Sequence, residues 1–274
     1  MECHFINLEQ ASERRQSLEA SFAAHRTPGW HLNRFPAVNV TYVQQYKVVG
    51  RLRESEKACF MSHRRLIGDQ IGTDEPPLIL EDDARFGVNT FTQIDHFLTT
   101  KSDDVGWDIL FTDVAVVDPK TMIDLFLLRR NLASPCFAQL LDLSTLPFAG
   151  ATAYLLNPPS IEKIYTYLET ATPLDIPYDL FLRQLIWEGK IKGYVMFPFV
   201  TTVSDWAESS QIQTLDTAYT DLTWNTFRKL MWIDRDIEQT RPAIQAIDRE
   251  VCDDESRQLA TIIAACTSSR FITK

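Results

Sequence analysis

The residues best suited to chemistry are three adjacent acids, Glu81, Asp82 and Asp83, inside the stretch Pro76–Phe86 (PPLILEDDARF). The apolar run before them, Leu78-Ile79-Leu80, is short, β-tolerant and led by two prolines, and it reads as a buried strand. A strand cannot bury three neighbouring carboxylates without donors or cations to compensate, so the acids belong where the strand leaves its sheet. In an open α/β sheet that carboxyl end is where ligands bind. Side chains alternate along a strand, so Glu81 and Asp83 share a side if the strand persists. Such a pair suits a hard divalent cation that also holds phosphate oxygens. The plain alternative is a solvated acidic turn.

Three further groups have chemical potential. Arg14 and Arg15 fall in the first turns of a helix that Ser12 can cap and that runs to about Ala24. Arginine placed so early opposes the helix macrodipole, yet its fork matches phosphate, so a diphosphate beside the strand-to-helix turn would explain it. Solvated surface charge is the alternative. His63 lies on a helix over about Glu56–Gln70, capped by Ser55, among Cys59, Leu66 and Ile67. A lone histidine on such a face is more often a satisfied core residue than a ligand. Asp179 falls in the first turn of a later helix for which Asp175 is an N-cap candidate, and the helix dipole by itself would favour a carboxylate there.

The elements that must position these residues alternate β and α. Cys3–Leu8 reads as a first strand, with Asn7 polar where strand gives way to loop. Phe35–Val38 is a second strand or its approach, and Asn39–Arg53 a loop. After the acids, Asn89 caps a helix carrying Phe91, Ile94, Phe97 and Leu98 at helical spacing. Trp107–Phe111, Phe137–Leu143 and Ala151–Leu156 read as strands, and 113–136 as a loop followed by an apolar helical stretch, Met122–Leu132. Ser160 opens an amphipathic helix. Val195–Val200 reads as the last strand, short or at an edge because Pro198 interrupts it. Helix–turn–strand order around the acids indicates an α/β domain over 1–210. Residues 211–274 read as a helical C-terminal extension. Its three apolar faces are Trp224, Phe227, Leu230 and Met231; Ile244, Ile247 and Val251; and Leu259, Ile262, Ile263 and Cys266. Its mixed charges lack the basic face of a membrane-surface helix, so it is expected to pack on the core or mediate self-association.

Composition narrows the class. The 274 residues hold one large α/β domain or a domain with an appendage. A formal charge of −10 argues against non-specific nucleic-acid binding, which needs Lys and Arg against phosphates. Five scattered cysteines with no C-x-x-C fit reduced cytoplasmic thiols better than a disulfide framework or a zinc site. The start, MECHFINLEQ, lacks the basic region and apolar core of a signal peptide, and no apolar run reaches membrane-spanning length.

With these residues in view, the chain resembles the family 25 glycosyltransferases, the bacterial lipooligosaccharide galactosyltransferase group, from residue 5 to about 212. The resemblance rests on Phe5-Ile6-Asn7-Leu8 followed by Glu13-Arg14-Arg15, on Phe35-Pro36-Ala37-Val38, and on Glu56-Lys57-Ala58-Cys59 followed by Ser62-His63, where Ala58 replaces the usual glycine. Leu80-Glu81-Asp82-Asp83 matches the acidic signature, and Gly150–Tyr154 and Pro177-Tyr178-Asp179 resemble later blocks. Their order and spacing together are more specific than any one of them.

The resemblance implies a GT-A-like fold with a mixed central sheet, here with the helical appendage. It implies inverting transfer of a hexose, galactose first among the choices, from a UDP-sugar donor to an oligosaccharide or glycolipid acceptor. On this reading Asp83 with Glu81 holds Mn²⁺ or Mg²⁺. Asn7, Arg14, Arg15, His63 and Asp82 line the nucleotide-sugar site, and Asp179 is the catalytic base, with Asp175 in reserve. The expected setting is the cytoplasm, and peripheral membrane contact at its inner face and homo-oligomerisation through the C-terminal helices both stay open. Two other classes compete. One is a non-catalytic binding or scaffold relative, disfavoured by the intact acids and Asp179. The other is a metal-dependent phosphohydrolase, which would want further ligands, while His4, His25, His31, His63 and His96 form no H-x-H or H-x-x-x-H pattern.

Overall fold

The computed structural model describes residues 1–102, 104–132, 137–209, 218–237 and 253–267. The strands are β1 (Glu2–Asn7), β2 (His31–Pro36), β3 (Leu78–Glu81), β4 (Ala84–Arg85), β5 (Ile109–Phe111), β6 (Ala115–Val116), β7 (Gln139–Asp142), β8 (Phe148–Ala149), β9 (Ala153–Leu156), β10 (Gly193–Phe197) and β11 (Thr202–Val203). The helices are α1 (Ser12–His25), α2 (Val40–Gln45), α3 (Glu54–Asp69), α4 (Thr90–Thr100), α5 (Pro119–Asn131), α6 (Ile161–Thr170), α7 (Tyr178–Trp187), α8 (Ala218–Met231) and α9 (Asp254–Thr267).

Seven strands form the central sheet in the order β2-β1-β3-β9-β5-β10-β7. β1 runs parallel to β2 and β3, and β5 parallel to β10, while β9 between the two groups and β7 at the edge are antiparallel to their neighbours. This is the mixed α/β sheet expected of a GT-A-like fold. Strand alternation divides the core between the two faces. Leu78 and Leu80 of β3 join Cys3, Phe5, Ala153 and Leu155 against α1 and α4. Ile79 joins Phe111, Tyr154, Leu156 and Val195 against α3, α6 and α7.

Local chemistry moves several boundaries. The second strand is His31–Pro36, earlier than Phe35–Val38; as a sheet edge with one partner, its polar His31, Asn33 and Arg34 hide it from a hydrophobicity reading. Ser12 is the first residue of α1 and caps nothing, Ala11 holding the cap position. α3 starts at Glu54, where Glu56 accepts the Arg53 backbone N–H at 2.9 Å, so Ser55 lies within the first turn. Asp175 is not the cap of α7: Pro177 is, and Asp175 accepts the Arg51 backbone N–H at 2.7 Å. The loop Asn39–Arg53 contains α2, capped by the Asn39 side chain. β10 is no edge strand, since it pairs with both β5 and β7 and ends before Pro198. Among the described residues the last strand is β11.

From the C-terminal segment, α8 buries Phe227, Leu230 and Met231. The Phe199 N–H donates to the Met231 carbonyl at 3.1 Å, and the Ile233 N–H to the Phe199 carbonyl at 2.8 Å. A Cβ at Gly87 would lie 1.9 Å from Asp234 Oδ2 and 2.3 Å from the Trp232 ring, so any larger residue there would force the side chains of this segment to move. Ile244, Ile247 and Val251, read as a second helical face, lie outside the described residues.

Candidate active site

The sheet topology places the chemistry along one edge. β1, β2, β3, β5 and β10 share one direction, so Asn7, Pro36, Glu81 and Phe111 end on the same side of the sheet. The antiparallel β9 starts there, and the Glu81 N–H donates to the Thr152 carbonyl at 2.8 Å. The parallel ladder ends at Glu81, which leaves the acids projecting from that edge.

Glu81 follows Ile79 onto the α3 face and meets His63 there, Nε2 to Oε1 at 3.2 Å. His63 is fully buried; its Nδ1 is 2.9 Å from the Tyr154 hydroxyl, which is 2.7 Å from that of Tyr178, and its ring stacks on Tyr178 with centroids 4.1 Å apart. One neutral tautomer satisfies the whole chain: Tyr178 donates to Tyr154, Tyr154 to Nδ1, and Nε2–H to Glu81. Burial would raise Glu81, but the His63 hydrogen bond and the more distant arginines hold it below the usual carboxylate range. Cys59, His63 and Glu81 bring donor atoms within 4.8 Å of one another. They do not make a ready metal set, because both His63 nitrogens are engaged and burial beside carboxylates pushes the Cys59 thiol up.

Asp82 and Asp83 share Arg14, whose Nε lies 2.7 Å from Asp82 Oδ1 and whose terminal nitrogen lies 3.2 Å from Asp83 Oδ2. Asn7 donates to Asp82 at 2.8 Å and to the Ala11 carbonyl at 3.1 Å, while its own oxygen accepts from Arg34 at 3.0 Å. Burial raises Asp82, partly offset by Arg14 and Asn7. Burial first, then the Glu81 charge, pushes Asp83 up to about 7. Its Oδ1 is buried without a hydrogen-bond partner.

Two cavities meet at the acids, and Cys59, Glu81 and Asp83 line both. The larger, about 510 Å³, runs along the carboxyl ends of β1 and β2 past Leu8, Arg14, Val38, Asn39 and His63. Val38 is fixed there by its N–H to the Ser62 hydroxyl, 2.9 Å. The smaller, about 270 Å³, is walled by Gly150–Thr152, Tyr178, Asp179 and residues of α8. Asp179 accepts the Gly150 N–H at 2.7 Å, and burial raises its carboxyl despite that bond. Arg228 of α8 closes this cavity, donating through Nε to the fully buried Asp113 at 2.9 Å and through its terminal nitrogen to Asp113 and to Thr152.

The fold thus brings together Arg14, His63, Glu81, Asp82 and Asp83 at one cavity and adds Asp179 across the acids, whereas Asn7, expected to line that cavity, is buried behind it on Asp82. Arg15 stays outside, half-exposed and paired with Glu19 on its own helix. Tyr154, Tyr178, Asp113 and Arg228 were not singled out by sequence. Tyr154 and Tyr178 stood inside quoted blocks, but no local pattern joins Asp113 to Arg228.

The family model described as "Glycosyltransferase family 25 (LPS biosynthesis protein)" matches residues 1–182, well over half of the chain. No curated protein matches it.

Proposed function

The chain belongs to glycosyltransferase family 25, and on that premise we propose that it moves a hexose, galactose first among candidates, from a UDP-sugar to a hydroxyl of a surface-glycan acceptor with inversion. The observation that carries this reading is the position of Glu81 and Asp83 between two cavities. The larger cavity, at the carboxyl ends of parallel strands, takes the nucleotide diphosphate. The smaller, holding Asp179, takes the acceptor. A single displacement needs the two substrates on opposite sides of the anomeric carbon.

Asp83 and Glu81 fit a divalent cation. Asp82 and Asp83 share the single cation Arg14, Asp83 keeps a buried oxygen with no partner, and hard cations take such oxygens. Mn²⁺ or Mg²⁺ held there would supply Lewis-acid stabilisation to the leaving diphosphate. The chain's own groups do the rest. Arg14 fixes two of the acids, Asn7 ties Asp82 to the end of β1, and His63 holds Glu81. Asp179, raised by burial, is suited to accept a proton. It takes the acceptor hydroxyl's proton as that oxygen bonds to the anomeric carbon and the bond to the diphosphate breaks.

The test is a panel of UDP-sugars assayed for hydrolysis, followed by acceptor arrays with the best donor, on wild type and Asp179→Asn. The variant is expected to bind UDP as wild type does and to lose about 10²–10⁴-fold in transfer. Near-full turnover in Asp179→Asn removes it from the role. Absence of UDP-dependent thermal stabilisation with Mn²⁺ refutes the nucleotide site itself.

A further inference from the structure

The acceptor-side cavity is not built from the family-matched segment alone. Trp224, Asn225 and Arg228 of α8 line it, and all three lie beyond residue 182. Trp224 is half-buried at its rim, packed against the core on one side. Asn225 and Arg228 are buried. Arg228 bonds both Asp113, just past β5, and Thr152, just before β9, so α8 is locked to the same sheet edge that carries the acids. The Phe199 and Ile233 backbone bonds fix the end of α8 to the segment just after β10 as well.

The chemistry of this wall is selective. One face of a pyranose ring presents C–H bonds and packs on an indole, while its hydroxyls need polar partners; a ligand site of this kind is a largely apolar surface with few directing polar groups. Trp224 supplies such a surface in the cavity that Tyr178 and Asp179 of α7 also line. The charges around it disfavour an anion. Glu56, Glu81, Asp83 and Asp179 line the cavity, and its two arginines are committed, Arg53 to Glu56 and Arg228 to Asp113.

We propose that Trp224 is the acceptor platform, a specificity-determining residue on which a neutral sugar ring stacks so that its hydroxyl faces Asp179, and that α8 is the element that sets acceptor choice. This deepens the transferase reading and rests on it for the role of the cavity, but its test is a binding measurement that needs no turnover. Saturation-transfer NMR titrations of methyl glycosides of glucose, galactose and N-acetylglucosamine, with methyl glucuronide and glucose 6-phosphate as anionic counterparts, are run on wild type, Trp224→Ala and Trp224→Phe without donor. At least one neutral glycoside is expected to bind wild type, to bind Trp224→Ala about tenfold or more weakly, and to recover most of its affinity in Trp224→Phe. UDP affinity, measured in parallel, is expected to be unchanged in all three, which separates loss of the platform from loss of the fold. Equal glycoside binding by wild type and Trp224→Ala overturns the proposal. So does tighter binding of the anionic sugars, or no glycoside binding by wild type. Failure of UDP to bind wild type counts against the transferase reading and leaves the glycoside comparison to decide the platform.

Discussion

Asp83 offers the sharpest test of the electrostatics. Its carboxyl is pushed from an ordinary 3.8 up to about 7, first by burial and then by Glu81. A carboxyl that holds its proton more tightly in the folded state lowers stability as pH rises from the unfolded value to the folded one. The penalty is absent below about pH 4, grows to about pH 7 and stays constant above it. At about 1.36 kcal/mol per pKa unit, the full shift is at most about 4 kcal/mol. Asp83→Asn keeps the shape and removes the charge. In metal-free buffer it is expected to be more stable than wild type at pH 8, and the gap should shrink steadily towards pH 4. Even about 1 kcal/mol of that ceiling moves Tm by about 2–4 °C in a chain of this size. Urea denaturation and thermal melts at pH 4, 5, 6, 7 and 8 in EDTA read the gap. The same series with Mn²⁺ should reverse the order at pH 8, because the cation stabilises only the ionised wild-type site. A gap that does not change with pH, or equal stabilisation of both proteins by Mn²⁺, would refute the reasoning.

Other outcomes follow from the same contacts. Arg228→Met leaves the fully buried Asp113 without its cation and should cost about 3–5 kcal/mol in urea denaturation, whereas adding Asp113→Asn should recover much of that loss. His63→Leu removes the hydrogen bond that holds Glu81 down. It should destabilise the protein by about 1–3 kcal/mol near neutral pH and raise the Glu81 carboxyl towards its unpaired value, readable by carboxylate NMR titration.

Much of the architecture was legible in residue order. The apolar run Leu78–Leu80 marked a buried strand because all of its side chains are apolar, and all three are fully buried, divided between the two faces of the sheet. Helices α4 and α6 announced themselves through apolar spacing. β2 did not, since an edge strand need not look hydrophobic. Cap positions failed where the chain had another use for the residue: Asp175 closes on Arg51, and Ser55 yields to Glu56.

The sequence by itself determined that an acidic cluster must stand at a strand end, because three adjacent carboxylates cannot follow a buried strand into a core. It also determined that Asn7 and Arg14 lie close to a strand–helix junction and that His63 sits on a helix face. Only the tertiary structure decided which of them meet. Arg14 bridges Asp82 and Asp83 while its neighbour Arg15 points to Glu19, a difference set by the rotation of α1 about its own axis. Arg228 reaches Asp113 across more than a hundred residues, and Trp224 lines the smaller cavity, because α8 packs against the sheet edge. Helix rotation and docking are fixed by packing summed over many side chains, and no local spacing encodes them.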